Sequence, residues 1–511
     1  MTDTIGNNKR IAKNTLLLYF RMLLMMLISL YTSRIVLATL GEIDYGIYNV
    51  VGGFVAMFSV ISGAMTTAAQ RFISFEIGKG EQGNVKAVFS TAILIHIALA
   101  IIILIAAETV GLWFLNTQMN FPLERYVAAN WVFQFSVVTF LISVVNVPYM
   151  AALIAYERMK AFAYVSIIEA ILKLLIVYLL VISSFDRLVL YALLLAVISI
   201  VIRIIYGIYC ERNFSECKCN WRIEKNKCKE MFSFAGWNMI GSVAGVAKEQ
   251  GINVVLNLFF GAAVNAARGI AYQVLNALSG FVGNFQIAMN PQIIKSYAAD
   301  ERNYMFLLVN RGSKLSFLLL LILSLPVIIE APFILDLWLK EVPQYTVIFL
   351  RLVLITALID SISGPLITSM HASGKVRDYQ LVVGGISLLT LPVAYLFLKL
   401  GYPPYSAMIV GIFFSILCLM ARVIMLRLAI KFPVTYFFRY AVGRIVATTL
   451  CAVPIPLFVY WKLPINWISF FLVCFTCLLV TGLSCFYIGL QKDEREYINK
   501  KVKSILSRIT E

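Results

Sequence analysis

The stretch TLLLYFRMLLMMLISLYTSRIVLATLG, Thr15 to Gly41, is apolar enough to span a membrane, yet it carries Arg21 and Arg34. A charge near the bilayer centre costs at least ~2.5 kcal/mol on insertion scales, so such a residue either snorkels to a headgroup or faces a polar interior. A guanidinium facing inward is a bidentate donor suited to phosphate. The two arginines are about 20 Å apart along a helix, each roughly 9 Å from its nearer end. Snorkelling accounts for either. Arg34 lies towards the external end, where basic residues are disfavoured, and reads as cavity-facing, while Arg21 stays open between cavity and snorkel.

Other apolar stretches hold further charges. Lys248 and Glu249 are neighbours, so on a helix they point about 100° apart and do not simply neutralise each other. Gly251 and several small residues beside them suggest a bend that opens a polar surface. Arg268, in NAARGIAYQ, shares the external placement of Arg34. Arg34, Arg268, Arg21, Lys248 and Glu249 are thus the candidates to line a substrate cavity. Glu169 and Lys173 stand at i and i+4, acid first, the spacing of a structural ion pair on one helical face. With that pair, Glu108, Glu330, Arg351 and Asp360 form a group that serves either ion coupling or internal structure. Arg203, Arg422 and Arg444 lie near cytoplasmic ends and are expected to snorkel. His96 and His371 read as structural.

There is no catalytic constellation. The sequence has no phosphate-cradling Gly-Lys-Ser/Thr loop and no zinc-protease helix, so ATP-driven transport and metalloprotease chemistry lack support. No cofactor or metal is expected. Cysteines number nine, and Cys210, Cys217, Cys219 and Cys228 lie in one basic loop whose spacing matches no standard zinc finger. They are expected to be reduced thiols.

These residues must be positioned by membrane helices. The chain is 61% hydrophobic and 14% charged, far from the quarter charged that soluble domains carry. Apolar runs of about 20 residues, the length that crosses a hydrocarbon core of about 30 Å, recur almost end to end. They predict an all-α polytopic membrane protein with about fourteen transmembrane helices, from Thr15 to Leu40 through Trp467 to Leu490. A barrel would show short alternating strands instead.

Lysine and arginine cluster in alternate connections, among them Lys9, Arg10 and Lys13, then Arg71, Lys79 and Lys86, and the run from Arg212 to Lys229. Both termini are therefore expected in the cytoplasm, and the net charge of +17 is a topology signal that needs no nucleic acid. The first apolar segment is too long for a cleavable signal and is expected to remain as the first helix.

The basic segment Cys210 to Glu230 divides the chain. VPYMAALIAYERMKAF, from Val147, can be laid on GPLITSMHASGKVRDY, from Gly364, and a similar shift lays QRFISFEIGKGE, from Gln70, on NPQIIKSYAADE, from Asn290. An even number of spans separates the matched segments, so the halves have the same orientation, a parallel pseudo-two-fold repeat with its cavity between them. The expected organisation is an N-terminal six-helix bundle at 1–209, a basic linker at 210–230, and a second six-helix bundle at 231–428. Two additional helices follow at 429–490, then a tail at 491–511. The tail places Ile498, Val502, Ile505 and Ile509 on one helical face, as an amphipathic helix on an anionic leaflet would, with a solvated tail as the alternative.

In this arrangement the chain resembles the multidrug/oligosaccharidyl-lipid/polysaccharide (MOP) flippase superfamily, and within it the polysaccharide-transporter branch of Wzx-like O-antigen flippases. The residues that carry the resemblance are RIVLATLGEIDYGIYNVV at Arg34 to Val51, SGAMTTAAQRFISFEIGKGE at Ser62 to Glu81, and VPYMAALIAYERMKAFA at Val147 to Ala163. The resemblance implies translocation of an undecaprenyl-pyrophosphate-linked oligosaccharide across a bacterial cytoplasmic membrane, with membrane lipids around it and H+ or Na+ as the candidate coupling ion. Two rival classes stand beside it. A cation or drug antiporter of the same fold would favour an acidic cavity, and a membrane polysaccharide polymerase or glycosyltransferase would need a sizeable extramembrane region where every external loop is short.

Overall fold

A computed structural model describes residues 2–56, 59–117, 123–183, 185–217, 224–339, 342–464 and 466–496. Some side chains within its helices, that of Arg34 among them, fall outside the description, as do residues 497–511 with the expected amphipathic face. Among the described residues there are helices, turns and loops but no strand.

The long helices are α1 (Thr2–Ala56), α2 (Ser59–Gly78), α3 (Val85–Thr117), α4 (Tyr126–Ala155), α5 (Met159–Ile182), α6 (Arg187–Asn213) and α7 (Lys225–Phe260). They continue as α8 (Ala262–Ala298), α9 (Arg302–Ile329), α10 (Thr346–Ser373), α11 (Val376–Lys399), α12 (Ser406–Ile430), α13 (Val434–Lys462) and α14 (Trp467–Gly489). Among the described residues, 10 helices, α3 to α6 and α9 to α14, are long and apolar enough to cross a membrane. Polar and charged residues are frequent in α2, α7 and α8. α7 carries Lys248 and Glu249, α8 carries Arg268, Asn284 and Gln286, and α2 carries Arg71 and Glu76. In α1 a described apolar stretch covers Asn14–Ile28.

Large apolar side chains such as Ile182, Leu258, Leu428 and Ile468 are exposed along the helices. In water such a surface would be unstable, whereas hydrocarbon is its natural solvent. Exposed Trp131, Trp338, Trp461 and Trp467 lie near helix ends, where indole rings meet headgroups.

The backbone repeats along the chain. α1 is broken at Gly41 (φ 78), and Gly261 (φ 77) separates α7 from α8. Gly80 (φ 60) follows α2, as Asp300 (φ 59) follows α8, and Glu157 (φ 58) separates α4 from α5 as Gly374 (φ 75) separates α10 from α11. The helix-entry residues Arg158 (φ −81, ψ 53) and Lys375 (φ −81, ψ 59) also match. The Gly80–Asp300, Glu157–Gly374 and Arg158–Lys375 pairs fall within the two segment alignments read from sequence, and Gly41 and Gly261 stand at the same shift as the Gln70–Asn290 alignment.

The chain divides into two compact units, Met1–Val243 with Ile287–Glu301, and Ala244–Gln286 with Arg302–Glu511. In the first, α4 is central and packs against α6, α2, α3 and α1, while α1 lies along α5. Its core joins Ile47 and Val51 to Val132, Phe133 and Leu188. In the second, α12 packs against α10 and α11, and α14 against α9 and α13. Leu256, Ala267, Phe349, Leu354 and Ala407 are central to that core. α7 and α8 each contribute residues to both units.

α7 is one continuous helix through Lys248 and Gly251. The absent side chain at Gly251 serves close packing, because a Cβ there would stand 2.5 Å from a methyl carbon of Leu391 on α11.

Candidate functional site

The second unit contains a cavity of about 310 Å³ lined by α7, α8, α9, α10 and α12. Its polar wall consists of Lys248 and Glu249 from α7, Tyr272, Ser279 and Gln286 from α8, and Thr356, Asp360 and Ser361 from α10. Helix periodicity explains the α8 contribution: Tyr272, Ser279 and Gln286 recur every seven residues, which keeps them on one face. Lys248 and Glu249, adjacent in the chain, both line this cavity.

Gln286 is fixed by donating its side-chain amide to Ser316 Oγ at 3.2 Å and to the Ser361 carbonyl at 3.4 Å. Gly364 leaves room for it, since a Cβ there would stand 2.3 Å from Gln286 Nε2. Asp360 accepts a hydrogen bond from Ser415 on α12. Close behind, Arg422 donates to Ser363 Oγ at 3.0 Å and to Tyr379 Oη at 3.3 Å. Its expected snorkelling is therefore corrected: the side chain turns inward, where fixed acceptors replace headgroup water.

Arg268 lies behind the wall. It is 4% exposed, donates through Nη1 to the Asn253 side chain, and packs its guanidinium 4.2 Å from the centre of the Tyr272 ring. Its Nε and Nη2 find no hydrogen-bond acceptor among the described residues. A buried cation with unused donors is costly unless an anion completes it, and the ring that separates it from the cavity compensates only in part.

The remaining candidates lie elsewhere. Arg21 donates to Ser166 Oγ on α5 at 3.3 Å and stacks 4.5 Å from the Phe162 ring centre. That side chain is held in the α1–α5 contact of the first unit. Glu169 and Lys173 form their ion pair at 2.6 Å. Glu108, in a widened turn of α3, accepts from Gln134 Nε2 at 3.1 Å. Arg351 donates to the carbonyls of Ile328 and Ile329, closing the end of α9. Glu330 precedes the short helix Ala331–Trp338 beside Phe333, Tyr460 and Asn466. Arg444 is corrected like Arg422, since it donates to the carbonyls of Ile488 and Leu490. Arg203 likewise faces inward, its guanidinium 3.8 Å from the Tyr149 ring centre.

The polysaccharide biosynthesis protein family matches residues 11–296, more than half of the chain. The chain belongs to that family, and so to the MOP flippase superfamily. No curated protein sequence matches it. Among solved structures, the Vibrio cholerae MATE transporter VcmN in its bent form is 16% identical, with a TM-score of 0.71 over 84% of this chain and 100% of that one. An outward-facing multidrug resistance MATE family transporter of the MOP superfamily is 14% identical, with a TM-score of 0.67 over 86% and 96% of the two chains. A MATE structure in the bent conformation is 12% identical, with a TM-score of 0.71 over 85% and 97%. These likenesses concern the fold. Family and fold together make this polysaccharide biosynthesis protein a multi-pass membrane protein of the flippase and transporter type.

Sequence reading missed two carboxylates, Glu76 and Glu157, at the helix ends that carry the basic loops. Glu76 is 2% exposed and accepts from Lys227 at 2.8 Å, Lys79 at 3.2 Å and the Asn84 amide at 2.9 Å. Glu157 Oε1 accepts from Lys295 Nζ and from Gln292 Nε2, each at 2.7 Å. Each acid lies in a segment quoted for the family resemblance, but nothing local in the sequence marks it as buried.

Proposed function

We propose that this protein translocates an undecaprenyl-pyrophosphate-linked oligosaccharide, the repeat unit of an O-antigen or another surface polysaccharide, from the inner to the outer leaflet of a bacterial cytoplasmic membrane. The observation that carries the reading is Arg268, buried with two unused guanidinium nitrogens beside a polar cavity. A sugar pyrophosphate cannot cross hydrocarbon unaided, because its charges and hydroxyls would lose hydration without replacement. Arginine donors answer the phosphates, and Tyr272, Gln286 and the serines answer the hydroxyls. The polyprenyl tail stays in lipid.

In this reading Arg268 and Arg34 recognise the diphosphate, while Arg21 holds the α1–α5 contact. Glu249 and Asp360 are the candidate groups for a coupling H+ or Na+. The repeated halves, parallel in orientation, exchange between a state open to one side and a state open to the other, which avoids the ion leak of a fixed pore. The basic loops face the cytoplasm, as do both termini.

A second reading, cation or drug antiport, is favoured by the acids Glu249 and Asp360 in the cavity wall. The discriminating experiment is a deletion strain in which lipid-linked saccharide is quantified by leaflet. Accumulation in the inner leaflet, cleared by the restored gene, supports translocation. Unchanged intermediates with increased sensitivity to cationic drugs support antiport.

A further inference from the structure

Glu157 occupies a left-handed backbone position, φ 58, that costs a side-chain-bearing residue and suits glycine. At the corresponding place in the second half stands Gly374, φ 75. Strain of this kind persists where the side chain is needed, and it clusters at switch regions. The Glu157 side chain is 1% exposed and reaches Lys295 and Gln292 on the last turns of α8. Its own carbonyl accepts from Asn14 Nδ2 of α1 at 3.5 Å. Around this grip α8 is seated closely: a Cβ on Gly78 of α2 would stand 2.7 Å from the Lys295 backbone, and Phe75 packs against Tyr297.

The end of α8, Ile287–Glu301, therefore belongs to the first compact unit, while the start of the same helix belongs to the second. Pro291 lies within the gripped end, where it removes a helix hydrogen bond and eases bending. We propose that Glu157 is a latch. Its carboxylate holds the end of α8 against α2 and the α4–α5 turn in the state seen here, and release of Lys295 and Gln292 opens the basic-loop end of the protein. The backbone strain at Glu157 is retained for this carboxylate. The inference rests on the alternating-access reading for its purpose, but the opening it describes is measurable without substrate.

Ser296, buried beside Lys295 in the chain, reports on it. In native membranes, Ser296→Cys is reacted with N-ethylmaleimide and its modification followed by peptide mass spectrometry. Glu157→Gly, which relieves the strain and removes the carboxylate, should raise the labelling rate roughly ten-fold or more, the effect of losing a charged hydrogen bond. Glu157→Gln, which keeps one amide contact, should raise it less. Combining Glu157→Lys with Lys295→Glu should restore protection, a rescue that a folding defect would not give. Unchanged labelling in Glu157→Gly and Glu157→Gln at normal abundance, or failure of the charge swap to restore protection, would overturn the latch. The substrate reading fails separately, when labelling responds as expected but lipid-linked saccharide remains evenly distributed between leaflets.

Discussion

The guanidinium of Arg268 stands 4.2 Å from the centre of the Tyr272 ring, and that ring is part of the cavity wall. The arginine is thus one side chain away from the cavity, with two guanidinium nitrogens that have no acceptor among the described residues. Lysine at this position keeps the charge but loses the fork, so Arg268→Lys should retain part of polysaccharide export and Arg268→Ala little. Surface polysaccharide is compared at equal protein abundance. Normal export in an Arg34→Ala, Arg268→Ala double variant would remove both arginines from the substrate path.

Glu169 and Lys173 are bonded at 2.6 Å, with 33% and 42% of their side chains exposed. In a membrane such exposure faces lipid or headgroups, so a lone survivor of the pair is poorly solvated. Lys173→Met should lower folded abundance, and adding Glu169→Gln should restore it. Fluorescence size-exclusion chromatography reads both. Loss of transport in a stable double variant would instead make the pair functional.

Lys314 on α9 is 1% exposed and is held by Glu494 at 2.6 Å, while Arg311 pairs with Asp493. The acidic start of the tail thereby neutralises a buried lysine. Glu494→Gln should destabilise the second unit by about 3 to 5 kcal/mol, the cost of stranding a buried charge, and Lys314→Met added to it should recover most of the loss. Thermal unfolding in detergent measures the difference.

Asp186 opens α6 and pairs with Arg125, which also holds Asp44 at 2.8 Å through Nε. Burial alone would raise the Asp186 carboxyl, but the Arg125 hydrogen bond and the Val189 and Leu188 amides outweigh it and hold its pKa below the ordinary 3.8. A depressed carboxylate stabilises the fold above its unfolded pKa and loses that contribution as pH falls through the folded value. Asn keeps the helix cap, so Asp186→Asn isolates the charge. Its destabilisation should be constant from about pH 8 to pH 5, and no more than about 1 kcal/mol because the pair is partly exposed. It should vanish in stronger acid.

The repeat was legible because two pairs of segments, from Val147 and Gly364 and from Gln70 and Asn290, align along their length. The i, i+4 pair was legible because its geometry is local. Arg422 and Arg444 were not, since only tertiary packing brings Ser363, Tyr379 and the Ile488 carbonyl to them. The packing of Gly251 was not legible because its partner, Leu391, is distant in the chain. Glu157 went unmarked for the same reason: Lys295 and Gln292 are remote in sequence.

The most direct test of the proposed translocation is leaflet exchange in proteoliposomes holding the purified protein and a polyprenyl-pyrophosphate-linked oligosaccharide. A membrane-impermeant saccharide-cleaving enzyme outside the vesicles reads exchange. The account predicts that the protected inner-leaflet pool becomes cleavable with the intact protein and stays protected with Arg268→Ala. A pool that stays protected with folded intact protein under both H+ and Na+ gradients, while the same vesicles move a cationic dye, would contradict it.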